Sequence, residues 1–220
     1  LKGQVLPGKD FDQDSPGDEH ADYDGHGTAM AGLIAGTGKS GGGDGAYGLA
    51  PGVKILPVRT SWNSSAQAVQ EFSEAIRYSA DAGAKVINIS QVAYTGGQQL
   101  TDAVAYALGK GSLIFAGAGN SAQEGNPVLY PAATPGVVAV AAVGKDLHRT
   151  AESEHGPQVD MAAPGDQIVE PCTGKTGICI GHGTSASTAL ASASAALIWS
   201  VHPEWTNNQV LRVMLNTIGG

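Results

Sequence analysis

The sequence predicts an α/β layered fold of three layers: a mostly parallel β-sheet flanked by helices on both faces. Three observations carry this. Short, continuously apolar and β-branched runs recur along the chain. They alternate with amphipathic or small-residue helical stretches, and they lack the polar alternation of a strand with one wet face.

The elements follow in order. Residues 1–24 are polar, rich in Asp and without helical period, which predicts a surface segment. DFDQDSPGDEH within it has the look of a calcium loop, yet Ser15 stands where the loop needs Gly and Ala21 where it needs Glu. A solvated acidic face is expected instead. Thr28 and the small residues after it begin a helix. The glycine-rich stretch 36–48 is expected to be a flexible surface loop. It is no phosphate loop, because Lys39 and Ser40 precede most of its glycines.

VKILPV (53–58) is expected to be a buried strand. Residues 66–83 place Val69, Phe72, Ile76 and Ala80 on one helical face and stop at Gly83. Strands are expected at 85–90, 112–119 and 137–143, with a helix over 100–111. The Ala- and Ser-rich run 187–200 permits a helix to pass through a core with its backbone close to its neighbours. A last helix over 202–218 has Thr206 as cap and Val210, Val213, Met214 and Ile218 facing inward. No linker interrupts this order, so residues 1–220 are expected to form a single domain.

Charge and composition narrow the function. Hydrophobic residues make up 42% and charged residues 15% of the 220, enough for a sizeable core. The formal net charge is −8 and no basic cluster occurs, which argues against a nucleic-acid partner. The longest apolar run, 137–143, is too short to cross a bilayer as a helix. The opening residues do not read as a signal peptide. A secreted or anchored protein after trimming would present the same sequence. Cys172 and Cys179 flank the turn-rich TGKTGI. A disulfide there would point to an oxidising compartment; spacing alone leaves free thiols open, but the stretch supplies no partners for a metal.

GHGT occurs twice, at 25–28 and 181–184. In the first copy His26 sits between two glycines at a helix edge, uncovered and poorly suited to a packing role. Beside the second copy Ser185 stands at the start of the long helix, where unpaired backbone N–H groups converge. Serine is also a common helix cap. The combination with His26, and with Asn120 at the end of a buried strand, favours nucleophilic chemistry: Asn120 would donate its amide to an oxyanion. His26 is then the base, Ser185 the nucleophile, and His182 a loop side chain near the cleft.

DGHGT, INIS, AGAGNS, YPAA and GTSAS, in this order, resemble the subtilisin-like serine proteases, and the C-terminal HPEWTNNQVLRVMLNT resembles their mycosin-like bacterial members associated with type VII secretion. The resemblance covers essentially the whole chain. It implies a serine endopeptidase cutting polypeptides through an acyl-enzyme, with His26 as general base, Ser185 as nucleophile and Asn120 with the Ser185 N–H as oxyanion donors. It implies substrate-binding positions at Ser90, Gln91, Val92, Ala116, Gly117, Ala118, Gly119 and Leu129. These carry no charge, which points to apolar or small side chains before the cut. No cofactor is required for catalysis on this reading, and a structural calcium ion enters by family analogy only. Secreted or extracytoplasmic placement is implied, with any membrane anchor on a segment outside this sequence.

Three departures matter. The family's catalytic aspartate lies on a core strand that does not occur before DGHGT here, so the domain is expected to be N-terminally incomplete. A separate peptide would carry the acid, unless the segment is simply omitted or lost. Asp24, Asp10, Asp12 and Asp14 are not nominated in its place: the first belongs to the histidine motif's surroundings, and the others have no buried strand to aim them. Ala189 replaces a common proline, and QVAYTGG (91–97) replaces a glycine-rich turn, with Val92 narrowing the entrance. The rival reading is a catalytically impaired relative that serves as a peptide-binding or scaffold module. An α/β-hydrolase esterase is disfavoured because Ser185 lies in GTSAS rather than GxSxG.

Overall fold

The computed structural model describes residues 1–12, 14–40, 43–61, 66–173 and 176–217. Its centre is a parallel sheet in the order β5 (Val86–Ile89), β6 (Leu113–Gly117), β7 (Val138–Val143) and β8 (Met161–Pro164). Alternate residues of these strands feed two different cores. Ile87, Ile114, Ala116 and Ala139 pack under α2 (Ala66–Asp81) and α3 (Gln98–Gly109), against Phe72, Ile76, Leu100 and Val104. Leu113, Phe115, Val138 and Val140 face the other way, onto Ala191, Ala195 and Trp199 of α4 (Thr184–Val201) and Val210 and Met214 of α5 (Asn207–Thr217). This two-faced burial explains the unbroken apolar runs, and the three-layer α/β architecture is as expected.

The two principal amphipathic helices follow their patterns. Val69, Phe72, Ile76 and Ala80 of α2 are buried. On α5 Val210 and Met214 are buried and Val213 is half-buried, while Ile218 lies outside the described residues. Thr206 caps α5 reciprocally: its Oγ1 accepts the Gln209 N–H at 3.3 Å and its own N–H donates to Gln209 Oε1 at 2.9 Å. The long helix starts at Thr184, with Ser185 in its first turn, and Ala189 is fully buried within it.

Three expectations are corrected. The stretch 36–48 contains an antiparallel pair rather than only loop: β2 (Thr37–Ser40) lies against β3 (Gly43–Tyr47), and the Tyr47 ring sits over the bare Cα of Gly38. Gly41 and Gly42 are outside the described residues. The run 53–58 is not a buried strand. Only Val58–Arg59 form β4, paired in parallel with β1 (Lys9–Asp10), with a further bridge from Val5 to Ile55; Ile55, Val58 and Arg59 are half-buried, while Val5 and Lys9 are exposed. The acidic opening segment therefore does contain a short strand. Its carboxylates are not simply solvated: Arg59 Nη1 bonds Asp10 at 2.7 Å and Nη2 bonds Asp12 at 2.9 Å, and the same guanidinium reaches the carbonyls of Ser15 and Pro16. An arginine occupies the centre of what looked like a cation loop.

The β1–β4 pair and the four-stranded sheet are separate among the described residues, so β5 ends the central sheet as an edge. A side-chain bond from Thr60 Oγ1 to Gln91 Oε1 at 2.6 Å, just past β4 and β5, ties the two together.

Candidate active site

Residues following β5 and β6 meet the N-terminus of α4. Ser90, directly after β5, donates its Oγ to the Ser185 carbonyl at 3.1 Å, and Ser185 Oγ returns a bond to the Ser90 carbonyl at 3.3 Å. Ser90 is itself held: it accepts from Asn88 Nδ2 at 3.1 Å, and Asn88 Oδ1 accepts from Ser192 Oγ at 3.0 Å. A polar chain thus runs from the body of α4 back to Ser185. The sequence reading missed Asn88 and Ser192, although a polar residue inside the apolar run VINIS was a visible signal.

Asn120 meets the same turn from the end of β6. Its Oδ1 accepts the Thr184 N–H at 2.9 Å, and Thr184 Oγ1 accepts the Gly119 N–H at 3.2 Å. Engaging Oδ1 with a backbone N–H leaves the amide Nδ2 as the outward donor. Gly183 makes this approach feasible: its φ is +112°, and a Cβ there would press on the Asn120 amide at 3.1 Å. The first turn of α4 thus carries the Ser185 hydroxyl and has the Asn120 amide bound beside it, a donor-rich arrangement suited to a developing negative charge.

His26 is the first residue of α1 (His26–Ala35) and half-buried. Ala29, Met30 and Leu33 of α1 share one apolar cluster with Ala186 and Ala189 of α4, so the first turns of the two helices pack together. Burial pushes the His26 imidazole below its ordinary value, against the pull of the Asp24 and Asp22 carboxylates. The shift favours the neutral ring, the form a general base needs. Asp22 organises this helix start: Oδ1 accepts the Gly25 N–H at 2.9 Å and Oδ2 the Thr28 N–H at 2.7 Å. Partial burial opposes its charge, but the bonds from Thr28 and Gly25 outweigh that and hold the carboxyl below the usual range. Asp22 was missed; an acid shortly before a helix start is the signal that could have found it.

The other expected positions divide. Ala116, Gly117 and Ala118 are enclosed, with Gly117 against Thr184 and Thr188 and the Ala118 N–H bonded to Val140. Leu129 is buried and packs on Gly119. Gln91 and Val92 are half-buried, the former bound to Thr60. His182 is 73% exposed, with Nδ1 3.6 Å from Glu152. It forms one wall of an open, polar cavity of about 320 Å³ shared with Asp146, His148, Glu152 and Asp166. Glu154 is fully buried against Gly119, beside Leu129.

Cys172 and Cys179 form a disulfide, Cα–Cα 5.8 Å, across the hairpin of β9 (Ile168–Pro171) and β10 (Ile178–Gly181). Pro171 packs on Gly32 of α1 and Thr173 lies beside Gly25, so this hairpin braces the helix that carries His26. Among the described residues no group of three or more His, Cys, Asp or Glu is placed to hold a metal ion. No helix among them is long and apolar enough to cross a membrane.

The chain is similar to named proteases over most of its length. Thermitase from Thermoactinomyces vulgaris is 36% identical over 201 residues, 91% of this chain and 69% of thermitase. A thermostable alkaline protease from Halalkalibacterium halodurans is 32% identical over 207 residues, 94% of this chain and 55% of the relative. A thermophilic serine proteinase from a Bacillus species is 35% identical over 91% of this chain and 48% of its own length, so the chain spans about half the length of several curated relatives. Among solved structures, MycP1 with its N-terminal propeptide removed superposes with a TM-score of 0.76 at 30% identity, covering 92% of this chain and 74% of that one. Sphericase gives a TM-score of 0.81 at 28% identity, covering 96% and 75%. The model of the subtilase family, peptidase family S8, matches residues 5–220. The chain, close in structure to mycosin-like members, belongs to the subtilase family.

Proposed function

We propose that this chain is the histidine- and serine-bearing part of a serine endopeptidase that hydrolyses polypeptides. The observation that carries the reading is the Asn120 amide bound to the first turn of α4, the turn that bears the Ser185 hydroxyl, with His26 on the adjoining helix start. His26 takes the Ser185 proton as Oγ attacks the peptide carbonyl. The oxyanion faces Asn120 Nδ2 and the Ser185 N–H. His26 then protonates the departing amine, and water repeats the cycle to release the acid.

The triad acid belongs, on this reading, to a further segment that adds as a parallel strand along the edge of β5, between β4 and β5. The unpaired β5 edge supports that placement. Without an aspartate to orient the imidazole, turnover falls by roughly four orders of magnitude. The substrate lies extended beside Ser90, Gln91 and Val92, adding a strand of its own, with Ala116 to Gly119 and Leu129 forming the wall of the primary pocket. The disulfide suits an extracytoplasmic location.

The test is covalent labelling of the purified protein with a fluorophosphonate, with its full polypeptide content determined by mass spectrometry. Stoichiometric labelling that disappears in Ser185→Ala, in a sample holding an aspartate-bearing peptide, is the expected result. A folded protein that holds that peptide and remains unlabelled overturns the enzyme reading in favour of a peptide-binding relative.

A further inference from the structure

Glu154 is fully buried, and its Oε2 accepts no hydrogen bond from any described residue. Folding alone gives no reason for such a group, since an apolar side chain of the same length would avoid the desolvation cost. Its other contacts supply one. The Glu154 N–H donates to the Gly119 carbonyl at 3.1 Å, and Glu154 Oε1 accepts the Ser121 N–H at 2.9 Å. The first bond fixes the peptide plane before Asn120 and the second fixes the plane after it. Together they set both backbone dihedrals of Asn120, and hence the direction of its Cβ.

The surrounding segment reinforces the grip. The Glu152 backbone carbonyl accepts the Ala122 N–H at 3.0 Å, while Asn126 and His155 exchange bonds of 2.8 and 3.0 Å. Gly119, at φ +118°, lets the carboxyl lie against its bare Cα. Asn120 itself is exposed, and its side chain is anchored by the Thr184 N–H alone among the bonds described.

We propose that Glu154 is a positioning residue: by holding both peptide planes that flank Asn120, it aims the Asn120 amide at the oxyanion formed when Ser185 attacks. The proposal rests on the serine-protease reading above. It adds a residue that never touches substrate and acts through Asn120. Burial pushes the carboxyl upward, and the Glu124 carboxylate adds to the rise while the Ser121 N–H opposes it. What the Ser121 N–H requires at this position is an acceptor oxygen, which a glutamine side chain also supplies.

The test uses Glu154→Met and Glu154→Leu, which remove the acceptor but keep an apolar filling, and Glu154→Gln, which keeps it. Each is made with Asn120 present and with Asn120→Ala, and folding is checked by near-UV circular dichroism, so that one misfolded variant does not decide. Two quantities are measured: the rate of Ser185 phosphonylation, and the NMR shifts of the Asn120 side-chain amide. The apolar variants are expected to slow labelling about tenfold with Asn120 present and less than about twofold in Asn120→Ala, and Glu154→Gln to recover the rate. The Asn120 amide resonances are expected to move in Met and Leu and to stay in Gln. Equal slowing in both backgrounds, or unmoved resonances in the apolar variants, overturns the proposal. If the unsubstituted protein, with its aspartate-bearing peptide present, is not labelled at all, the protease reading has failed, and the resonances alone decide whether Glu154 positions Asn120.

Discussion

The two GHGT segments share four letters and little else. In the first, the helix begins at the histidine itself; in the second, it begins two residues after the histidine, at Thr184. The cause lies in what holds the neighbouring N–H groups. Asp22 gathers those of Gly25 and Thr28, and Gly25 turns at φ 85°, ψ −4°, so the chain is already winding when it reaches His26. Before α4, Gly183 is extended in ψ, at φ 112°, ψ 173°, and it is Asn120 that binds the Thr184 N–H. One histidine is consequently half-buried on a packed helix start, and the other projects into solvent beside Glu152. A motif of four residues fixes neither role; the partner of the next free N–H does.

The largest effect that separates the two copies is on turnover. On the serine-endopeptidase reading, with the acid-bearing segment present, His26→Ala is expected to lower kcat/KM by roughly 10³-fold or more, and His182→Ala by less than about fivefold, both read with a peptide ester. Comparable losses from the two would break the asymmetry. A smaller effect comes from the hairpin that lies between them. Replacing Cys172 and Cys179 together by serine is expected to cost about 2 kcal/mol, seen as a fall in Tm of roughly 4–8 °C. Because β10 leads into His182 while Pro171 and Thr173 brace α1, proteolysis of the variant should begin at this hairpin.

The smallest effect is electrostatic. Asp24 raises the His26 pKa against the stronger effect of burial, so Asp24→Asn pushes it further down. The base is active when neutral, and its rate falls as pH drops through that pKa. The acid limb of kcat/KM should therefore move to lower pH in Asp24→Asn. The corresponding change beside the second copy, Glu152→Gln, should leave that limb in place.

Much of this was legible in the sequence, and the parts that were not have a common cause. β5, β6, β7 and α2 announced themselves through their apolar patterns, as Phe72 and Ile76 do on one face of α2, whereas β8, of which only Ala163 is buried, was not anticipated. The two-residue strands β1 and β4 carry no period of their own; Arg59 gathers Asp10 and Asp12 from 49 and 47 residues away, and no local rule anticipates that meeting. The same holds at the site. His26, Asn120 and Ser185 could be singled out by their flanking glycines and small residues. Glu154 could not, since in the polar stretch ESEHG (152–156) it reads as one more surface acid until tertiary structure closes over it. The polar chain through Asn88 and Ser192 spans 104 residues and is likewise a property of the folded state.

The long helix has a consequence for how this protein can vary. Its buried positions, from Thr184 and Ala186 through Ala195, are filled almost entirely by Ala, Ser and Thr, packed against all four strands of the central sheet. At such positions each added methylene forces a neighbour aside, at about 1–3 kcal/mol. A saturation library over α4 should accordingly return few viable substitutions along its inner face, with tolerance concentrated at the outward residues Leu197 and Val201. The element that carries Ser185 would stay put over long divergence because it has no spare volume in which to drift.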